Sequence, residues 1–161
     1  MDRIRDYTPE LIVVETSTPS FKNDLDIIKN MRNELSNCKI ALCGPHASVF
    51  PKQILEEHRL IDYLLIGEYE FTSLDLANAL ENNLNLESVP GLAYRKEGKV
   101  ILNNPRITLG NLDSLPWPER EDVPIYRYND GFAGLPSPNV NVDKPWLSIW
   151  LYFLPMAPDN L

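Results

Sequence analysis

Three short stretches hold the side chains with chemistry to offer. Glu15-Thr16-Ser17-Thr18-Pro19-Ser20 is a run of hydroxyl donors and acceptors interrupted by a proline. Gly44-Pro45-His46-Ala47-Ser48 sets an imidazole and a hydroxyl behind a glycine and a proline, and Gly67-Glu68-Tyr69-Glu70 sets two carboxylates behind another glycine. Hydroxyls, carboxylates and the close backbone approach that glycine permits suit recognition of a ligand's polar edge. They do not form a nucleophile triad, a phosphate loop or a dinucleotide fingerprint, since the stretch from Gly44 to Ser48 has one glycine where the last needs three. No residue is assigned a catalytic role. Each feature also has a purely structural use. Ser20 or Asn23 can cap a helix, Glu68 and Glu70 can complement a helix dipole, and His46 can be an ordinary surface histidine.

The elements around these stretches place them together. Leu11-Ile12-Val13-Val14 is a continuous apolar run, as expected of a parallel strand covered on both faces. Apolar residues Leu25, Ile28, Met31 and Leu35 recur at helical spacing before Asn37. A second strand is expected over residues 39–43, followed by a loop over 44–50 and a short helix over 51–57 with a proline in its first turn. Tyr63-Leu64-Leu65-Ile66 reads as a third strand, and residues 70–82 as a helix burying Phe71, Leu74, Ala77 and Leu80. Alternating strands and helices imply right-handed crossovers and an α/β fold with a doubly wound parallel sheet of the Rossmann or flavodoxin-like kind. All three stretches then leave the carboxyl ends of strands, where ligands sit in such sheets. Residues 91–95 and 100–103 flank Lys96-Glu97-Gly98-Lys99 as a β-hairpin. Residues 2–7 read as the last turns of a helix, with Ile4 and Tyr7 inward, and a further N-terminal strand is expected before them.

Length and composition suit a soluble globular protein with one real core. The net charge of −8 argues against a surface built for nucleic acid or anionic lipid, and no local basic patch stands out. Cys38 and Cys43 sit at opposite ends of one strand, roughly 16 Å apart, beyond disulfide reach. Their spacing fits no zinc or iron–sulfur pattern, and with only His46 and His58 a transition-metal site built by the protein is not expected. Reduced thiols and the lack of an apolar leader point to the cytoplasm. The longest apolar run, residues 146–157, is too short to span a bilayer.

Taken together, the three crossings resemble the cobalamin-binding domain of cobalamin-dependent radical S-adenosylmethionine enzymes. That family typically reads Gly-Gly-Pro-His-(Ala/Val)-(Thr/Ser) at the second crossing, where this chain has Cys43-Gly44-Pro45-His46-Ala47-Ser48. At the third it reads Gly-Glu-Gly-Glu-x-Thr, where this chain has Gly67-Glu68-Tyr69-Glu70-Phe71-Thr72. Gly91-Leu92-Ala93-Tyr94-Arg95 and Leu112-Asp113-Ser114-Leu115-Pro116-Trp117-Pro118 resemble the bridge to the radical domain. The resemblance implies a corrin lying across the carboxyl ends of the strands. Thr16, Ser17, Thr18, Pro19, Ser20, Gly44, Pro45, His46, Ala47, Ser48, Gly67, Glu68 and Glu70 would then contact its edge and tail. Many cobalamin proteins present a cobalt-ligating histidine in Asp-x-His-x-x-Gly. His46 stands outside that string, so no histidine ligand to cobalt is expected.

The radical half of that family needs Cys-x-x-x-Cys-x-x-Cys for a four-iron cluster. No cysteine follows Cys43. S-adenosylmethionine and the cluster therefore belong to the parent family, and this chain resembles a fragment without the radical domain. The expected organisation is an α/β domain with its hairpin over residues 1–104, a proline-rich linker or arm over 105–143, and an aberrant or truncated start of a radical domain over 144–161. A partner radical domain or subunit follows from that reading. The alternative is a cofactor-free α/β interaction or regulatory domain that docks a partner through its proline-rich, apolar arm, where Trp146, Ile149, Trp150, Tyr152 and Phe153 gather.

Overall fold

The computed structural model describes residues 8–107 and the short strands Asn129–Asp130 and Leu135–Pro136. The expectations placed on residues 2–7, on most of 105–143 and on 144–161 lie outside the described residues, as does the interaction reading built on Trp146 to Phe153. The chain divides after Thr108 into two units.

The first unit runs β1 (Leu11–Glu15), α1 (Phe21–Glu34), β2 (Lys39–Cys43), α2 (Pro45–Val49), α3 (Pro51–Glu57), β3 (Tyr63–Leu65), α4 (Glu70–Glu81), a 3-10 turn (Leu86–Ser88), β4 (Leu92–Lys96) and β5 (Lys99–Leu102). The second contains β6 (Asn129–Asp130) paired antiparallel with β7 (Leu135–Pro136).

The main sheet has the order β1-β2-β3-β4-β5. Its first three strands are parallel, with Leu11 opposite Lys39 and Ala41 opposite Tyr63. Because the chain steps twice in the same direction across the sheet, two right-handed crossovers must lie on one face. Ile28 of α1, Ala47 of α2 and Ile54 and Leu55 of α3 accordingly pack on Ile40, Leu42 and Leu64. On the opposite face Leu76 and Ala79 of α4 meet Ala41, Cys43, Leu65 and Leu92. Helices on both faces of one sheet give the expected Rossmann-type layering.

The hairpin joins the same sheet. β4 runs antiparallel to β3, with Leu64 opposite Ala93, and β5 pairs with β4, which makes the sheet mixed. Glu97 and Gly98 both have positive φ, 52° and 80°, the conformation that a two-residue turn demands.

Three local expectations need correction. β1 is only partly covered: among the described residues it is an edge strand paired with β2, Val14 and Leu11 pack toward opposite faces, and Val13 is 40% exposed. Residues 45–49 are helical rather than loop, because Pro45 presets the first-turn φ and Gly44, at φ 94°, turns the chain out of β2. In α4 the buried stripe is Thr72, Leu76 and Ala79, while Leu74 is 54% exposed. Apolar residues on adjacent faces left the inward direction open. It is fixed by the Thr72 hydroxyl, which donates to Pro90 O at 3.0 Å and accepts from Arg106 Nε at 2.8 Å.

Candidate functional site: three loops at the carboxyl pole

Strands β1, β2 and β3 deliver the three stretches to one end of the sheet, and short polar side chains then lock them to each other. Thr16 continues the ladder, its amide donating to Cys43 O at 2.9 Å. Its side chain is buried, and the hydroxyl donates to Asp24 Oδ2 at 2.7 Å. Ser20 Oγ donates to the same oxygen at 2.8 Å and lies 2.9 Å from Ser17 Oγ. Asp24, on the first turn of α1, is therefore the hub of the first loop. Ser20 occupies the N-cap position of α1 without a side-chain cap bond.

The second loop closes on the first at Gly44. A Cβ on this glycine would stand 2.6 Å from Thr16 O and 3.1 Å from Glu15 Cγ, so the approach that requires glycine is that of the neighbouring loop. Thr18 Oγ1 lies 3.2 Å from His46 Nδ1. The imidazole packs against Phe21 at 4.1 Å between ring centroids and against Phe50 at 5.1 Å. With one ring nitrogen engaged and aromatic rings beside it, His46 is placed as a loop anchor.

Ser48 ties the second loop to the third. Its hydroxyl donates to Gly44 O at 2.9 Å and accepts from the Gly67 amide at 3.0 Å. Gly67 adopts φ 79°, yet a Cβ there would meet nothing within 4 Å. Here the glycine meets a need for a left-handed turn, and the space in front of it is open. Pro45 and Ala47 hold α2 in place, Ala47 being fully buried.

Beside these loops lies a second polar group made by Glu15, Cys43, Tyr69 and Glu70. Burial, and then the Glu15 carboxylate, push the Cys43 thiol up to about 12. Burial likewise holds the Tyr69 hydroxyl well above the usual phenol range, with Cys43 next in effect. Burial also raises Glu15. Glu70 Oε2 is buried without a hydrogen-bond partner, an uncommon state for a carboxylate oxygen. Among the described residues no group of histidine, cysteine and carboxylate side chains could hold a metal ion. The arrangement is a rim of hydroxyls, amides and carboxylates with open space before Gly67.

The structure thus brings Thr16, Ser17, Thr18, Ser20, Gly44, Pro45, His46, Ala47, Ser48, Gly67 and Glu70 to one pole. Pro19 and Glu68 lie in the same loops. Sequence reasoning missed Asp24, Phe21 and Tyr69. The spacing of four between Thr16, Ser20 and Asp24 was the available signal for the first of these.

The model of the B12 binding domain matches residues 1–77, a span that ends inside α4 and contains all three loops. Residues 1–77 are similar to a B12 binding domain. The chain resembles the cobalamin-binding modules of radical S-adenosylmethionine methyltransferases. Among curated proteins it is 28% identical over 125 residues to an uncharacterized methyltransferase of Pyrococcus horikoshii, covering 78% of this chain and 27% of that protein. It is 27% identical over 129 residues to the anaerobic magnesium-protoporphyrin IX monomethyl ester cyclase of Synechocystis, covering 79% of this chain and 24% of the cyclase. The chain therefore spans about a quarter of these relatives.

Among solved structures the fold is shared with the cobalamin-dependent S-adenosylmethionine radical enzyme OxsB, determined with aqua-cobalamin and S-adenosylmethionine bound. The TM-score is 0.59 at 23% identity over 66% of this chain and 15% of OxsB. It is shared also with the radical S-adenosylmethionine methyltransferase TsrM of Kitasatospora setae, with cobalamin and a [4Fe-4S] cluster bound. There the TM-score is 0.55 at 21% identity over 65% of this chain and 20% of TsrM. No helix among the described residues is long and apolar enough to cross a membrane.

Proposed function

We propose that this domain holds cobalamin at its carboxyl pole for a radical S-adenosylmethionine domain that works beside it. The observation that carries this reading is the mutual locking of the three loops through the Thr16–Cys43 backbone bond, the Thr18–His46 contact and Ser48. A rim fixed before the ligand arrives loses little entropy on binding. Residues 16–20, 44–48 and 67–70 line the corrin edge and tail in this proposal. Gly67 provides the open approach. His46 stays on Thr18 and Phe21 and does not reach cobalt.

Bound cobalamin supplies a cobalt centre able to carry a methyl group. The protein's own part is to bind and orient the corrin and to shield the face turned toward the sheet. The Pyrococcus relative is named a methyltransferase and the Synechocystis relative a cyclase, so the cradle serves more than one reaction. Substrate choice lies with the partner domain.

Mixing the purified chain with hydroxocobalamin and desalting tests the proposal. We expect about one equivalent of corrin absorbance to co-elute with the protein. A folded sample that keeps none overturns the reading for this chain.

A further inference from the structure

A cavity of about 360 Å³ opens between α3 and the β4–β5 hairpin and shares no residue with the three loops. Lys52, Leu55 and Glu56 share one face of α3, Arg59 stands in the turn just beyond its end, and Arg95 and Lys99 face them from the hairpin. Four cations thus surround one carboxylate in a chain whose net charge is −8. The sequence shows no basic patch because these residues belong to two separate elements that only the fold brings together.

The positive charge is poorly compensated. Glu56 is tied to Lys52 at 3.8 Å. The Arg95 guanidinium donates only to neutral carbonyls: Leu55 O at 2.7 Å, Ile61 O, and Arg59 O at 3.4 Å. Burial first, and the neighbouring Arg59 charge second, hold Arg95 below its ordinary pKa. Asp62, the carboxylate beside it, is ion-paired with Arg32. Among the described residues, the side chains of Arg59 and Lys99 have no ion-pair partner. Like charges gathered around a concavity raise the local concentration of anions.

The lining also limits what the anion can be. It contains no aromatic ring and no hydroxyl side chain, so nothing there reads a base or a sugar. Guanidinium forks pair with phosphate oxygens and lysine ammonium groups add point charges that accept oxygens from several directions, so two arginines with two lysines suit a phosphate-bearing anion.

We infer that the cavity between α3 and the hairpin, lined by Lys52, Arg59, Arg95 and Lys99, is a binding site for a diphosphate group. The group is either free or the diphosphate part of a larger molecule, and the site is independent of the cobalamin cradle. Titration calorimetry of the full chain with sodium pyrophosphate, ADP, citrate and hexaglutamate tests it. The expected result is saturable binding of pyrophosphate at one site. The Arg59→Gln/Lys99→Gln double variant, confirmed as folded by circular dichroism, should bind at least tenfold more weakly while hydroxocobalamin retention is unchanged. ADP binding as well as pyrophosphate identifies a diphosphate moiety as the ligand, and ADP binding more weakly identifies the free anion. The inference is overturned by no saturable pyrophosphate binding, by equal affinity in the double variant, or by citrate or hexaglutamate binding more tightly than pyrophosphate.

Discussion

The two poles of the sheet are held by opposite chemistry. At the carboxyl pole short hydroxyl side chains do the work: Thr16 and Ser20 close the first loop on Asp24, and Ser48 ties the second loop to the third. At the amino pole, guanidinium groups do the joining. Arg32 reaches Leu60 O, Cys38 O and Asp62, and Arg95 reaches Leu55 O and Ile61 O. Long cationic side chains can bridge elements from outside and leave charge over. Short neutral ones bridge only loops that already lie close, and they leave a compact rim with space in front of Gly67. The first arrangement suits an anion and the second a large neutral ring system.

Substitutions that separate these two modes of support should differ in size. The largest effect is expected for Gly44→Ala, whose methyl would meet Thr16 O at 2.6 Å in a left-handed backbone. Overpacking and backbone strain together should cost about 3 kcal/mol, read by urea denaturation, and cobalamin retention should be lost. Asp24→Ala comes next. It strips the acceptor from Thr16 and Ser20 and should cost about 2 kcal/mol while loosening only the carboxyl pole. Ser48→Ala should cost about 1 kcal/mol. Because it unties Gly67 from Gly44, it should weaken cobalamin more than it weakens the fold. If the Asp24 and Ser48 variants bind cobalamin as well as the parent, the loops do not need one another and the contrast between the poles fails.

A smaller effect concerns Cys43, under the carboxyl pole. Its native thiol keeps its proton up to about 12, against 9.0 for a free thiol. The raised native pKa means that this group's contribution to stability is complete below pH 9 and is lost as pH rises from there toward 12. At pH 8 the thiolate fraction is on the order of one in ten thousand. Iodoacetamide should therefore label Cys43 only after unfolding, which mass spectrometry of native and urea-treated samples checks. Rapid native labelling would mean that the floor under the loops is open.

Much of the carboxyl pole was legible in the sequence, because it is built from contiguous signals. An apolar run ending in Gly44-Pro45, or in Gly67, states both the strand and the loop that leaves it. The five-residue helix α2 escaped notice because so short an element has no apolar period to read. The inward face of α4 depends on where the Thr72 hydroxyl finds partners, and Pro90 and Arg106 lie well down the chain. Asp24 carries no signal of its own in the sequence beyond its spacing from Thr16 and Ser20, and only the fold shows it as the acceptor that closes the first loop. The charges of the amino pole were invisible for the same reason, since Lys52 and Lys99 become neighbours only when the hairpin adds to the sheet.

The most direct measurement compares cobalamin titrations of the parent chain, Gly67→Asn and Arg59→Gln/Lys99→Gln, each confirmed as folded. Asparagine tolerates positive φ and would fill the open space before the third loop without disturbing the Ser48 bond. The account predicts that Gly67→Asn loses cobalamin while the amino-pole variant binds it like the parent. Unchanged binding by Gly67→Asn together with loss in the amino-pole variant would place the cofactor at the wrong end of the sheet and contradict it.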